Sequence, residues 1–452
     1  MGEKFHKRIE HASCVDLSYE GKGVCRIEEG IVFTDFILPG EEGDIEIDYR
    51  RNGQLFGHVK KITTPSPDRI SPECPVCYAC GGCSFQWYRY EAELGYKQQK
   101  VKEQFRKLAG MDVDVLPTIG MAEARYYRNK IQPLVGNDEE GRTYTGFYKE
   151  GTHHIVPVER CLIEDERASK ILKVIRDLLD RFHIPAYDEH ARFGVMRRVL
   201  IKTSYHYPEI MVVLITAAER FPQKDRLVEA LIKECPEITT IMQNINNSPS
   251  SVILGERERI LYGPGIVRDS IGDLTFRISA KSFYQTNPQM VEILYAKAME
   301  FAHLKPTDVV YDAYSGTGTI GLMAAKHVKN VVAVEIVKEA VEDAVRNAQD
   351  NHINNYSAHV GDASSFLKAM ASRGEKVDVL FMDPPRKGSN PVFMDAVMKM
   401  KPSRIVYVSC DPSSLARDVK YLSKLYKVGR IQPIDMFPRT THVETVVELC
   451  LK

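Results

Sequence analysis

No apolar run in this chain reaches the ~18 residues that a membrane-spanning helix needs, which excludes a transmembrane segment. The first residues, MGEKFHKRIEHASC, lack the apolar core of a secretory signal. The sequence therefore predicts a cytoplasmic protein with no membrane partner. Net charge is also missing, because 61 Lys plus Arg balance 61 Asp plus Glu. That excludes nucleic-acid binding by global charge and leaves only local patches for the task. Internal repeats and low-complexity segments are absent, which excludes a solenoid. Tryptophan is nearly so, with Trp87 the single one. Cysteine is not scarce. There are ten, and without an export signal they argue for metal binding or catalysis rather than a disulfide scaffold.

A length of 452 residues suggests about three domains of ~150 residues. Residues 1–66 alternate apolar and polar positions between Gly turns, the pattern of a small β-barrel. Thr63 to Pro75 is rich in Pro, Thr and Ser and reads as a linker. Residues 67–270 mix a helix over Tyr88–Leu108 with strand-like runs around Ile131, Val156, Val199 and Val212. From 271 to 452 the rhythm becomes strand then helix, repeated, which predicts an α/β fold with a doubly wound, mostly parallel sheet. The last two strands, Tyr426–Phe437 and Val443–Leu451, have no helix between them.

The first strand of this region ends in Asp312-Ala-Tyr-Ser-Gly316-Thr-Gly318-Thr319-Ile-Gly321. Glycines at a strand-to-helix turn let a ligand approach the backbone. Glu335 ends the next strand, placed to hold ribose hydroxyls. A dinucleotide oxidoreductase would share this much. An anion at Asp312, however, would repel a pyrophosphate and suit S-adenosylmethionine, which carries an ammonium and a sulfonium. Asp362 follows the next strand position and is placed for the adenine.

After the fourth strand comes Met382-Asp383-Pro-Pro-Arg386-Lys-Gly388. An aromatic after Asp-Pro-Pro would suit an amino-group methyltransferase; Arg386 suits a phosphate or an enolate oxygen instead. Cys410, in Val-Ser-Cys-Asp-Pro-Ser-Ser, leaves a buried strand and precedes a helix capped by Ser or Asp. A helix N-terminus is expected to lower that thiol's pKa. Such a thiolate has a use, because carbon 5 of uracil is not nucleophilic until carbon 6 has been attacked. A base must then take the carbon 5 proton, and Phe437-Pro-Arg-Thr-Thr-His442-Val-Glu444-Thr offers His442 and Glu444. Cys74, Cys77, Cys80 and Cys83 have soft-ligand spacing, for which zinc and an iron–sulfur cluster both compete.

Phe283-Tyr-Gln285, the Asp312 turn, DPPRKG, VSCDPSSLARD and THVET together resemble the S-adenosylmethionine-dependent RNA uracil-5-methyltransferase family over nearly the whole chain. The N-terminal segment resembles the TRAM RNA-binding barrel of ribosomal members, although it carries 9 Lys and Arg against 12 Asp and Glu over residues 1–66. The resemblance implies a class I methyltransferase domain over 271–452 and an α+β iron–sulfur domain over 67–270. It makes Cys410 the nucleophile and Glu444 the base. It implies donor contacts from Gln285, Tyr314, Glu335 and Asp383, with Asp312, Gly316, Thr319 and Asp362 beside them. Phe283 is similar to an aromatic that stacks on a flipped base, with Arg386 also facing substrate. The family's cysteine pattern selects Cys74, Cys80, Cys83 and Cys161 for a 4Fe-4S cluster and leaves Cys77 spare. Lys97, Lys100, Lys102, Arg106 and Lys107, and a second group of Arg417, Lys420, Lys424, Lys427 and Arg430, are candidate phosphate contacts. The partner expected is RNA, 23S ribosomal RNA ahead of transfer RNA, and not DNA. The competing class is an iron–sulfur RNA-binding module with an inactive enzyme domain. A 5-methylcytosine enzyme would typically carry a Pro-Cys motif, and Arg386 follows the prolines here.

Overall fold

The computed structural model describes residues 3–28, 30–248 and 252–452. Five strands between Glu3 and Thr64 close into a barrel. Its interior is filled from alternate positions of each strand by Cys14, Cys25, Val32, Ile45, Ile47 and Leu55, as a period-2 pattern demands. Closure removes the exposed edges that a five-strand sheet would otherwise present.

The Pro-rich stretch after the barrel is not a free linker. Arg69 donates to the buried carboxylate of Glu41 at 2.7 Å and to Phe36 O at 2.9 Å. Ser66 N reaches the same carboxylate at 3.1 Å. A buried charge held by an Arg fork fixes the segment, where composition alone suggested mobility. Trp87 packs edge-on against Phe36 of the barrel, with ring centroids 4.9 Å apart, and is buried with Leu17, Leu38, Cys77 and Phe85. It is an interface residue.

The predicted helix over 88–108 is two pieces. An α-helix runs Tyr90–Gln104, and a π-helical turn, Phe105–Ala109, ends at Gly110 with φ +70°. The middle of the chain forms an eight-stranded sheet with Arg257–Tyr262 at one edge and Ile155–Pro157 at the other. Its helices Glu166–Arg181 and Lys224–Glu234 bury Ile171, Ile175, Leu227 and Leu231 against the central strands Met196–Thr203 and Ile210–Thr216. Ile210–Thr216 is a nearly continuous apolar run, which is how a strand covered on two faces reads.

The C-terminal sheet has seven strands, ordered Tyr356–Val360, Asn330–Glu335, Val309–Ala313, Val379–Met382, Arg404–Ser409, Glu444–Leu451, Tyr426–Ile434. The first five run parallel and the last two antiparallel to their neighbours. The order reverses between Val309–Ala313 and Val379–Met382, the switch point where α/β sheets open a crevice at their carboxyl ends. Among the described residues no helix is long and apolar enough to cross a membrane.

Candidate active site

Strand ends supply the acids. Ala313 pairs with Met382, and Met382 with Tyr407, so Asp312, Asp383 and Cys410 meet at one edge. The antiparallel hairpin brings in the last member. Ser409 pairs with Thr445, which sets Glu444 beside the residue that follows Ser409. The nucleophile candidate and the base candidate are thus neighbours because one strand ends where the other begins.

Burial dominates the electrostatics of this edge. It pushes Glu444 up to about 8, with Asp383 adding repulsion and Arg386 opposing it. Asp383 is pushed up to about 7 by burial. Asp312 goes to about 8 for the same reason, against a hydrogen bond from Gly321 N. Cys410 is pushed up to about 12 by burial first, then by Glu444 and Asp383, with Arg386 opposing. This corrects the expected lowering at a helix N-terminus. Cys410 lies ahead of the cap, and burial, with Glu444, Asp383 and Asp411 adding to it, outweighs one helix end. The cap is Asp411, which accepts from Ser414 N at 2.8 Å. His442 is pushed down to about 4, by partial burial of its ring and then by Arg386 and Lys100.

The glycine turn is held as its spacing suggests. Gly321 N donates to Asp312 Oδ2 at 2.9 Å. Gly316 N donates to Glu335 Oε2 at 3.0 Å, and Val337 N to its Oε1 at 3.0 Å. Tyr314 sits at φ +62°, a costly conformation for a bulky residue and one that concentrates at functional turns. Its hydroxyl donates to Ser389 Oγ at 3.3 Å. Asp362 caps the helix Ala363–Ser372 through Ser365 N at 2.9 Å. Thr319 Oγ1 donates to Tyr295 OH at 3.2 Å, and the Gln285 side chain also bonds that hydroxyl. Phe283 is 63% exposed, a wasteful position for an aromatic unless a ligand covers it.

Two results run against the sequence reading. Tyr295 links Gln285 to Thr319, yet it lies on the buried face of a helix among Val291, Leu294 and Ala298, where nothing local marks it. Lys97 and Lys100 are not phosphate contacts. Lys97 is fully buried, 2.7 Å from Glu93 and 2.7 Å from Asp435, and Lys100 donates to Thr441 O at 2.8 Å. In the second basic group, Arg417 pairs with Asp418 and Arg430 with Glu300 and Glu448.

Cys74, Cys77, Cys80, Cys83 and Cys161 line one cavity with Gln86, Arg128 and Glu164. Gln86 Nε2 donates to Cys83 Sγ at 3.5 Å. Among the described residues no three His, Cys, Asp or Glu side chains close on a single ion position. Soft donors spread round a cavity fit a group that spans it. Cys77 is buried in the apolar cluster of Phe85 and Trp87, and Cys74 packs against the same cluster.

Carboxylates lining a glycine turn at the switch point of this sheet define the class: an S-adenosylmethionine-dependent α/β methyltransferase. The family model for tRNA (uracil-5-)-methyltransferase matches residues 266–452. An uncharacterized RNA methyltransferase of Oceanobacillus iheyensis is 40% identical over 440 residues, 97% of this chain and 95% of the relative. One from Halalkalibacterium halodurans is 41% identical over 439 residues, 97% of this chain and 96% of the relative. The chain belongs to the RNA (uracil-5-)-methyltransferase family. Among solved structures, the tRNA (uracil-54, C5)-methyltransferase of Pyrococcus abyssi in complex with S-adenosyl-L-homocysteine is 25% identical with a TM-score of 0.78, covering 97% of this chain and 99% of that one.

Proposed function

We propose that this protein transfers a methyl group from S-adenosylmethionine to carbon 5 of a uridine in RNA through a covalent bond between Cys410 and carbon 6. The observation that carries the reading is the placing of half-buried Cys410 beside buried Glu444 at adjoining strand ends. Cys410 Sγ gives up its proton to solvent and bonds carbon 6, which makes carbon 5 an enolate carbon. Carbon 5 takes the methyl, the S–CH3 bond breaks, and S-adenosylhomocysteine leaves. Glu444 removes the carbon 5 proton, and the C6–S bond then breaks to free the thiolate. Arg386, the cation that opposes the upward shifts of Cys410 and Glu444, offsets the cost of the thiolate and of the enolate oxygen. His442, held neutral well below pH 7, is the weaker base. Phe283 would stack on the extruded uracil, while Gln285, Asp312, Tyr314, Gly316, Thr319, Glu335, Asp362 and Asp383 would hold the donor.

The four thiols of Cys74, Cys80, Cys83 and Cys161 would hold a 4Fe-4S cluster, which supplies a rigid cross-link between two distant segments. Ser84 N and Phe85 N, next to Cys83, donate to Arg439 O at 2.8 and 3.1 Å, so this corner supports the loop that leads to Glu444. Large-subunit 23S ribosomal RNA is the target we propose, from the likeness of the barrel and cysteine-rich part to ribosomal members. A transfer-RNA target is the second reading. The Pyrococcus tRNA enzyme matches 97% of this chain, so the barrel alone does not separate the two. Mapping 5-methyluridine in ribosomal and transfer RNA from a deletion strain tests the target. A new methyl found on a nitrogen or a ribose would refute the chemistry.

A further inference from the structure

The barrel reaches the catalytic edge through one turn. Ser18 N donates to Lys22 O at 2.7 Å and Gly21 N to Ser18 O at 2.9 Å, closing a tight turn between strands Glu3–Leu17 and Gly23–Ile27. Tyr19 projects from it, and its hydroxyl donates to Asp411 Oδ2 at 2.8 Å while accepting from Ser413 Oγ at 3.3 Å. Asp411 is the residue after Cys410, and its other oxygen caps the following helix. The same turn touches the loop that leads to Glu444. A Cβ on Gly21, whose φ is +80°, would lie 2.5 Å from Thr441 Cγ2. Lys100 completes the clamp: its ammonium lies 3.9 Å from the centroid of the Tyr19 ring and donates to Thr441 O at 2.8 Å. Tyr96 OH donates to Ser18 O at 2.9 Å, fixing the turn to the helix that carries Lys100.

We infer that Tyr19 is a positioning residue for catalysis, acting through Asp411 on Cys410 and, with Lys100, on the loop that presents Glu444. The barrel then serves the reaction itself and not RNA capture alone. The spacing explains why: a thiol outside the helix proper is aimed only by the backbone on either side of it, and a misplacement of ~1 Å at a reacting atom can cost ~100-fold in rate. A hydrogen bond to a charged group is among the stronger single contacts and is enough to hold that aim.

The inference rests on the covalent reading above, and one assay separates them. Full-length protein is mixed with an RNA transcript carrying 5-fluorouridine and S-adenosylmethionine, and the rate of the protein–RNA adduct is followed. Tyr19→Phe is expected to slow adduct formation about ten-fold with RNA affinity and thermal unfolding unchanged. Asp411→Ser keeps a cap acceptor and is too short to reach Tyr19. Combined with Tyr19→Phe it should cost no more than either change alone, the signature of one shared pathway. A wild-type rate in Tyr19→Phe, a loss confined to RNA affinity, or additive effects would overturn the inference. No adduct from the wild-type protein, by contrast, would overturn the covalent reading.

Discussion

At the level of single residues, the odd feature is a nucleophile that burial makes reluctant. Cys410 is pushed up to about 12 and Glu444 to about 8, so near neutral pH the free enzyme holds both protons. The sign of the pH dependence follows. Both groups act in their deprotonated forms, so activity rises as pH rises through the Glu444 value. The donor brings a sulfonium and an ammonium to the carboxyl groups of Asp312, Asp383 and Glu444, and positive charge favours their ionised forms. Donor binding should therefore release protons at pH 7, and calorimetry in buffers of different ionisation enthalpy would show it. Saturating donor should also move the rising limb of the rate profile to lower pH. Cys410→Ala should abolish methylation, whereas Glu444→Gln should let the adduct form and persist, visible as a protein–RNA band on a denaturing gel. Turnover in Cys410→Ala would contradict this chemistry.

Elements show why some of this was readable from sequence. Asp312, Asp383 and Cys410 each end a buried apolar strand and each precede glycine or proline, so local pattern exposes them. Lys97 and Tyr19 are hidden for the opposite reason. Their partners lie far along the chain, 338 residues for Lys97 with Asp435 and 392 for Tyr19 with Asp411, and no local period encodes such a pairing. The charge of a lysine likewise says nothing about its burial, so the basic run from Lys97 to Lys107 reads as a set of phosphate contacts until its neighbours are in place. Lys97 is flanked by Glu93 and Asp435, all three fully buried. Lys97→Met should leave two carboxylates without their cation and destabilise the protein by about 3–5 kcal/mol, read as a lowered unfolding temperature. At the glycine turn, two effects compete in Gly321→Ala. Helix propensity favours alanine by about 1 kcal/mol, but its Cβ would sit 2.6 Å from Asp312 Oδ2 and 2.9 Å from the Tyr356 ring. The clash is with rigid neighbours and should win: donor binding measured by calorimetry is lost while the far-UV spectrum stays unchanged.

Across the whole molecule, segments far apart in sequence converge on a single loop, Asp435 to His442. Helix Tyr90–Gln104 grips its start through Lys97, and Asn287 donates to Met436 O at 3.1 Å. Tyr127 OH donates to Pro438 O at 2.9 Å, and Arg439 N donates to Glu93 Oε1 at 2.8 Å. The cysteine-rich segment adds Ser84 and Phe85 on Arg439 O. Arg439 itself is at φ +70°, a conformation that persists only where surroundings impose it. If the proposed cluster ties Cys161 to Cys74, Cys80 and Cys83, its loss frees the Ser84–Phe85 strut and lets that residue relax. Anaerobic removal of iron should then lower the unfolding temperature and slow adduct formation, while donor binding at the glycine turn stays intact. Methylation that continued at the original rate after iron removal would separate the cysteine-rich corner from catalysis, because the strut would then hold the loop without it.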